Sequence, residues 1–198
     1  MRIVECVECV EFGPVDRLRV VERESPVLGP RQVRVDVAAC GVNYVDGLFV
    51  QGAYQIKPPL PFVPGMEAVG TVVELGADVG DEVGDVVAMG DRVLANVGLG
   101  GYASEVVAAV EQTVGLPDTL TDGQAATFMQ SYLTAWFALV ERGRVGTGDT
   151  LAVLGAGSGV GLAAVDLGAA LGLRVLAAAS TPEKRELAER RGAVATIA

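Results

Sequence analysis

The sequence predicts an α/β protein with two domains, a β-rich domain over residues 1–118 and a partial parallel α/β domain over residues 119–198. Three observations lead to this fold class. Short Val-rich segments bounded by Gly and Asp fill the first part of the chain, which indicates strands. Apolar residues then change from a period of two to helical spacing. The end of the chain alternates strand-like and helix-like segments with short links, which predicts parallel pairing.

Four strands are predicted in the β-rich domain after its strand-like N-terminal segment. Residues 32–40, QVRVDVAAC, alternate apolar and polar side chains as a half-buried strand does, and Val-rich segments follow at 68–76, 85–95 and 100–110. Between the first two strands, residues 41–65 form a long connection that is dense in Gly and Pro and carries Asn, Asp and two Tyr. Long connections inside domains are often functional, so this segment is the candidate active-site loop.

A single helix is predicted from Gly123 to Val140, with Thr121 or Asp122 as its N-cap and Gly143 as its stop. Its spacing places a set of apolar side chains on a buried face. These side chains are Ala126, Met129, Leu133, Trp136, Phe137 and Val140.

Gln130 and Thr134 lie four residues apart and therefore on one face of that helix. One interpretation is a buried helix with two satisfied polar groups, and the other is that this face lines a site. Strands and helices then alternate to the end of the chain. They are a strand at 150–154, a helix at 160–171, a strand at 173–179, a helix at 180–192 and a strand at 193–197.

Charge and composition exclude several classes of function. The formal net charge is −10, which disfavours nucleic acid and anionic membranes as partners. The N-terminal segment MRIVECVECVEF alternates like a strand and lacks the apolar core of a signal peptide, so we expect a cytoplasmic protein. The chain has no His, and Cys6, Cys9 and Cys40 are predicted to be structural thiols. We therefore expect no metal site.

The segment LAVLGAGSGVGLAA, residues 151–164, predicts a strand, a glycine-rich turn and the start of a helix. The dinucleotide pattern Gly-x-Gly-x-x-Gly is not strict here, because Ala156, Ser158 and Gly161 occupy its three slots. Small residues still permit a close approach to a pyrophosphate, and the helix N-terminus supplies free N–H groups. The interpretation as a cofactor-binding turn is favoured over a turn with a purely structural role. Its predicted cofactor-binding residues are Ala156, Gly157, Ser158, Gly159, Val160 and Gly161.

The end of the second strand of this domain predicts the identity of the cofactor. An NAD site usually has an acidic residue there, which binds the ribose 2′-OH. This chain instead has Ser180 and Thr181, followed by Lys184 and Arg185. Hydroxyl groups and cations suit a 2′-phosphate, whereas the alternative is a helix N-cap followed by solvated charges. We expect NADPH, with Ser180, Thr181 and Lys184 as further cofactor-binding residues.

Three segments, 40–76, 90–95 and 155–193, resemble the medium-chain dehydrogenase/reductase superfamily, specifically its zinc-free quinone oxidoreductase (zeta-crystallin-like) branch. The first of them, which begins CGVNYVDGLFVQGAY, is close to a family signature. The resemblance covers the whole chain. It implies a GroES-like β-rich catalytic domain followed by a Rossmann domain, with the active site in the cleft between them.

The resemblance also implies that no zinc is bound. In zinc-dependent relatives the metal ligands stand at positions that correspond here to Asn43, Met66 and Gln130. None of these residues is a usual zinc ligand.

In the same way, the resemblance implies Asn43, Tyr54 and Thr134 as catalytic residues that face the nicotinamide and the hydride acceptor. Asp46 and Glu67 would brace the active-site loop. A structural alternative exists for two of them, because Tyr54 can be an ordinary loop aromatic and Asn43 a turn former.

The implied function is NADPH-dependent transfer of a hydride to a quinone or an α,β-unsaturated carbonyl without zinc. Family members are longer than this chain, so three strands of their Rossmann sheet are expected to be absent and the strand 150–154 to lie at an edge. The alternative function is a non-catalytic or partner-dependent dinucleotide-binding relative. We expect a small-molecule substrate, no nucleic acid or membrane partner, and either a homodimer or a second chain that completes the sheet.

Overall fold

Antiparallel strands make up most of the first part of the chain. The computed structural model describes residues 2–80 and 87–198. A hairpin of β1 (Ile3–Glu8) and β2 (Arg19–Glu24) precedes the main sheet. The strands of the main sheet are β3 (Gln32–Cys40), β4 (Glu67–Leu75), β5 (Arg92–Asn96), β6 (Glu105–Ala109) and β7 (Thr113–Gly115), in the order β6-β3-β4-β5-β7.

Valine side chains on one face of this sheet form its core, as the alternating pattern of β3 requires. Val33 and Val35 of β3 are fully buried, as is Val93 of β5. Burial of each such side chain contributes about 1.5–3 kcal/mol. A second cluster joins Phe49 and Phe62 of the active-site loop to Cys9.

The second part of the chain is a parallel α/β layer, which confirms the predicted β-α-β-α-β order. Its strands pair in the order β10-β9-β8, so the first strand of the run, β8, pairs with β9 alone among the described residues. Its core is built mainly from small apolar side chains, which permit close packing of helix on sheet. The elements are β8 (Thr150–Leu154), α4 (Gly159–Ala170), β9 (Arg174–Ala178), α5 (Pro182–Arg190) and β10 (Ala195–Ile197).

The contacts divide the chain into two compact units, Met1–Thr127 and Phe128–Ala198. The segment just before the division belongs with the first unit, because Arg92 of β5 forms an ion pair with Asp122 at 2.7 Å. A Cβ added at Gly41 would lie 1.9 Å from the carbonyl oxygen of Ala126, so β3 and this segment are in close contact. Each helix in the described part of the chain is too short or too polar to span a membrane.

The single helix expected from 123 to 140 is wrong. The structure has α2 (Asp122–Ala125), then α3 (Phe128–Trp136), and then a π-helical segment over Phe137–Arg142. Thr127 separates α2 from α3, and its hydroxyl turns back to the carbonyl groups of Gly123 and Gln124. Such local bonding by Thr competes with a continuous helix.

The predicted apolar face of that helix is also wrong in part. Leu133 is 54% exposed, Trp136 is 42% exposed and Phe137 is 51% exposed. The buried members of α3 and the π-helical segment are instead Ala135 and Leu139. The break after α2 changes the phase of the helix, so the 3.6-residue spacing no longer continues across it.

Other element bounds differ less. Residues 41–65 contain a helix that the sequence did not predict, α1 (Tyr44–Val50). The strand expected at 100–110 is limited to β6, and Gly100 before it has a φ of +108°. The strand expected at 85–95 starts at Arg92 as β5, and its residues 85 and 86 lie outside the described residues.

Candidate functional site

Glycine brings the backbones of β8 and α4 together in the turn at residues 155–161, called here the glycine turn. Gly155 has a φ of +69°, a conformation that glycine adopts without strain. A Cβ added at Gly161 would lie 2.3 Å from the carbonyl oxygen of Gly155. The hydroxyl of Ser158 donates to that carbonyl at 2.8 Å and accepts from the Gly161 N–H at 3.2 Å. These contacts hold the turn in one shape.

The first turn of α4 presents polar backbone groups to solvent. Ser158, the N-cap of α4, is exposed, as are Gly159 and Val160. The N–H groups of Gly159 and Val160 have no backbone acceptor among the described residues. Such groups, together with the helix dipole, form an anion site. Ala156 is different, because it is fully buried and its N–H donates to the carbonyl of Ala178 at 2.9 Å.

Lys184 lies across the glycine turn. A Cβ added at Gly157 would meet the Cδ of Lys184 at 2.6 Å and its Cβ at 2.8 Å. The aliphatic stem of the lysine therefore covers Gly157, while the residue as a whole is exposed. A lysine in this position keeps its ammonium group in water beside the turn.

The remaining groups at the end of β9 cap helix α5. Thr181 is the N-cap and accepts from the N–H of Lys184 at 3.4 Å, with Pro182 as the first helical residue. The guanidinium of Arg185 donates to the carbonyl of Ala179 at 2.8 Å. Ser180 is exposed. The capping interpretation is thus correct for Thr181, and it leaves Ser180 and the Lys184 ammonium group facing solvent.

In the active-site loop, Asn43 is the N-cap of α1 and is held at two points. Its backbone N–H donates to Oδ2 of Asp46 at 2.8 Å, which is half of a capping box. Its side-chain Nδ2 donates to Oε1 of Glu67 at 3.1 Å. Both carboxyl groups are almost completely buried. Asp46 and Glu67 therefore contact Asn43 directly, as a bracing role requires.

Burial raises the pKa of the Asp46 carboxyl, and three hydrogen bonds oppose that effect. They come from the backbone of Asn43, the hydroxyl of Tyr102 and the backbone of Gly65. Burial also raises the pKa of the Cys40 thiol to about 12, with further contributions from the charges of Asp46 and Glu67. That thiol donates to the carbonyl of Glu67 at 2.9 Å, so it is a structural group.

Tyr54 lies against Phe49, the two ring centroids being 4.7 Å apart. It packs on the cluster that contains Phe49 and Phe62, and its backbone N–H donates to the carbonyl of Leu48 at 3.2 Å. The ring is half-buried. This packing fits the loop-aromatic interpretation and leaves the catalytic role a prediction. Met66 packs on the same cluster.

Thr134 is exposed on α3, and its hydroxyl donates to the carbonyl of Gln130 at 2.6 Å. The hydroxyl oxygen retains acceptor capacity. The helix face that carries Gln130 and Thr134 is therefore at least partly exposed and not buried in the core. Thr134 belongs to the second compact unit, whereas Asn43 and Tyr54 belong to the first.

Sequence reasoning missed Tyr102, whose hydroxyl donates to Oδ2 of Asp46 at 3.1 Å. Asn43, Asp46 and Tyr102 all line a mainly apolar pocket of about 410 Å³ beside α1. Val15, Leu18 and Leu48 contribute to its apolar lining. Small-molecule sites commonly have such a volume and such a lining, with a few convergent polar groups. The only signal in the sequence was the glycine pair that precedes Tyr102.

Comparison with known proteins places these features in a family context. Residues 29–118 match the Alcohol dehydrogenase GroES-like domain family. Quinone oxidoreductase-like protein 2 of Rattus norvegicus is 40% identical over 177 residues, which is 89% of this chain and 49% of that protein. The Quinone oxidoreductase-like protein 2 homolog of Nematostella vectensis is 42% identical over 195 residues, or 96% of this chain and 51% of that protein.

A solved structure of a quinone oxidoreductase is also similar to this chain. The quinone oxidoreductase of Thermus thermophilus, which has also been solved in complex with NADPH, superposes with a TM-score of 0.84 at 35% identity. The match covers 97% of this chain and 59% of that one. The chain thus spans about half the length of the curated relatives it matches.

Proposed function

Because this chain belongs to the quinone oxidoreductase-like branch of the medium-chain dehydrogenase/reductase superfamily, we propose that it functions as an NADPH-dependent oxidoreductase. The proposed reaction is transfer of a hydride to a quinone or an α,β-unsaturated carbonyl without zinc. The observation that carries the proposal is the glycine turn, where Lys184 lies across Gly157 and the first N–H groups of α4 have no backbone acceptor in the part of the chain that the structure describes.

The turn fits a dinucleotide pyrophosphate. Gly157 and Gly161 leave no room for a Cβ, and the amides of Gly159 and Val160 offer donors at a helix N-terminus. The hydroxyl of Ser180 and the ammonium of Lys184 would bind a 2′-phosphate through charge-assisted hydrogen bonds. When bound, NADPH supplies a hydride, which carries two electrons to the acceptor carbon.

Asn43, Tyr54 and Thr134 are the proposed catalytic residues. The amide of Asn43 and the hydroxyl of Thr134 would orient the carboxamide or ribose. Tyr54 would donate a hydrogen bond to a carbonyl or stack on a flat ring, and stabilisation of developing oxyanion charge is the larger of these effects. A quinone can take the proton that completes its reduction from water. Zinc independence is supported by residue identity, since Asn43 and Met66 are not usual zinc ligands and the chain has no His.

The cofactor assignment is tested by binding. Trp136, the one tryptophan of the chain, gives an intrinsic fluorescence signal for titrations with NADPH and NADH. We expect NADPH to bind at least about tenfold more tightly, because a lysine–phosphate contact is a charge-assisted hydrogen bond. Replacement Lys184→Met keeps the stem over Gly157 and removes the charge, so it is expected to abolish most of that preference.

Arg190→Met is the matched control, because it removes a cation from the exposed far end of the same helix. It is expected to keep the preference for NADPH. Equal affinity of the unaltered chain for both cofactors, or tighter binding of NADH, would contradict the assignment.

A second candidate function is a dinucleotide-binding protein that depends on a partner for catalysis. One observation favours it: β8 has a strand partner, β9, on one side only among the described residues. Turnover of NADPH with a 1,4-quinone and an enone separates the two functions. It is measured, with and without a zinc chelator, on this chain and on a chimaera in which the remaining part of the Thermus thermophilus enzyme follows Ala198. Turnover by this chain or by the chimaera supports the first function, whereas binding of NADPH without turnover in either form supports the second.

A further inference from the structure

A chain of polar contacts runs from Tyr102 to the side chain of Asn43. The Tyr102 hydroxyl donates to Oδ2 of Asp46 at 3.1 Å, and the same oxygen accepts from the Asn43 N–H at 2.8 Å. The Asn43 side chain then donates to Glu67. Asp46 is 2% exposed, and its other oxygen, Oδ1, has no hydrogen-bond partner of good geometry among the described residues. The position of this carboxyl therefore depends on the two donors at Oδ2 and on the facing amide of Gly65.

The backbone around Tyr102 holds the phenol in place. Its N–H donates to the carbonyl of Pro64 at 2.9 Å, and its carbonyl accepts from the N–H of Val7 at 2.8 Å. A Cβ added at Gly65 would lie 2.6 Å from Cδ1 of the Tyr102 ring, and a Cβ at Gly101 would lie 2.9 Å from the Cys40 sulfur. Glycine at positions 65 and 101 thus permits close packing of Tyr102 and its neighbours against the active-site loop.

We propose that Tyr102 is a positioning residue: its hydroxyl holds the Asp46 carboxylate on the backbone of Asn43 and so fixes the start of α1 and the direction of the Asn43 side chain. The consequence for catalysis rests on the proposed function, in which Asn43 orients the cofactor or the substrate. Tyr102 itself acts through Asp46. Its contribution is to keep the N-cap of α1 in one arrangement.

The contact makes the arrangement of Asn43 sensitive to pH. The groups that face Asp46 are Tyr102, the Cys40 thiol at the end of β3 and Glu67 at the start of β4. The tyrosine hydrogen bond favours the charged carboxylate and lowers the pKa of Asp46, against the effect of burial. Loss of that bond must raise this pKa further.

The backbone amide resonance of Asn43 reports this ionisation, because that N–H is bonded to the carboxylate. We expect its proton shift to titrate with Asp46 in the unaltered chain, above the ordinary pKa of an aspartate because the carboxyl is buried. In Tyr102→Phe the midpoint is expected to rise by about one pH unit, a tenfold change in proton affinity. In Asp46→Asn the titration step of the Asn43 resonance is expected to vanish. This second variant keeps the proposal testable if Tyr102→Phe does not fold.

Tyr132→Phe is the matched control, because it removes a tyrosine–aspartate hydrogen bond, to Asp166, within the second compact unit. The Asn43 midpoint should not move in that variant. Either of two results would overturn the proposal. The first is an unchanged titration midpoint of the Asn43 resonance in Tyr102→Phe. The second is a titration step that persists in Asp46→Asn and disappears in Glu67→Gln.

Turnover provides a separate measurement. In a form of the enzyme that turns over NADPH, Tyr102→Phe is expected to lower kcat several-fold with little change in the KM for NADPH, because the glycine turn is untouched. If the resonance shifts as expected but the unaltered chain neither binds NADPH nor turns it over in the chimaera, the proposed function fails while the positioning contact stands. A fall in affinity for NADPH without a fall in kcat contradicts the positioning role.

Discussion

At the scale of single residues, the glycine turn shows why a loose sequence pattern still makes a phosphate-binding shape. Ala156 and Ser158 replace two glycines of the dinucleotide pattern. Ala156 is tolerated because its side chain enters the core, and Ser158 because its hydroxyl caps α4. Gly161 has no such freedom, since a Cβ there would meet the carbonyl oxygen of Gly155, a backbone atom that cannot rotate away.

Replacement Gly161→Ala is therefore expected to distort the turn. We expect a loss of about 1–3 kcal/mol in the free energy of unfolding, as for other strained backbone sites, and a loss of NADPH binding of at least tenfold. Urea denaturation and fluorescence titration measure the two effects.

The control for this variant is Gly123→Ala on α2, where a Cβ meets nothing within 4 Å. It is expected to leave stability unchanged or to raise it by up to about 1 kcal/mol. Wild-type stability and affinity in Gly161→Ala would contradict the steric argument.

The same scale shows what sequence reasoning can find and what it misses. Lys184 was predicted as a cofactor-binding residue from its place after the second strand of the parallel sheet. Its contact with Gly157 of the glycine turn was not predicted. Tyr102 is different, since its bond to Asp46 joins residues 56 positions apart and no local pattern marks it. The cofactor and catalytic roles of the other site residues stay predictions.

At the scale of elements, Arg34 joins three strands of the main sheet. From β3 its guanidinium contacts Glu105 of β6 at 2.9 Å and Glu74 of β4 at 2.6 Å. Arg2, before β1, also pairs with Glu105 at 2.6 Å. Arg34 and Glu105 are both buried, so their charges depend on one another.

Arg34→Met is expected to lower the free energy of unfolding by about 3 kcal/mol, because it leaves a buried carboxylate with fewer partners. The control is Arg31→Met, which removes a more exposed pair with Glu111. That loss should stay below about 1 kcal/mol. Urea unfolding measures both variants, and equal losses would refute the dependence on burial.

Whether a strand or helix could be predicted from the sequence depends on the interactions that stabilise it. Strand β3 was predicted with its observed ends, because one buried face imposes the period of two. Helix α1 was missed, since its seven residues include Gly47 and depend on the Asn43–Asp46 capping box and on the packing of Phe49. The long helix at 123–140 failed because Thr127 ends α2 through side-chain hydrogen bonds that a hydrophobic period does not reveal.

At the scale of the whole molecule, the predicted order of a β-rich part followed by a parallel α/β part is confirmed. Each compact unit has its own apolar core, Val-rich in the main sheet and rich in small residues around β9. Periodicity predicts such cores well, because every strand must bury a face. Periodicity does not predict which apolar side chains of α3 are buried, because their burial depends on the other elements that pack against this helix.

Protons held by buried thiol and phenol groups affect the stability of the whole chain. Burial raises the pKa of Cys40 from 9.0 to about 12, and it also raises the pKa of Cys6 and Cys9. Burial, with the nearby Asp166, raises the pKa of Tyr132 from 10.0 to about 12. Between about pH 9 and 12 the folded chain thus binds more protons than the unfolded chain. Its free energy of unfolding must fall as the pH rises through that window.

Cys40→Ala is expected to reduce this alkaline loss of stability, since it removes the thiol whose pKa rises to about 12 and leaves the phenols in place. Urea unfolding at several pH values between about 8 and about 11 measures the slope directly. Tyr44→Phe is the control, because Tyr44 is 86% exposed and should leave the slope unchanged. If Cys40→Ala keeps the full wild-type slope, the thiol proton is not coupled to folding, and the tight contact of Cys40 with Glu67 does not persist in solution.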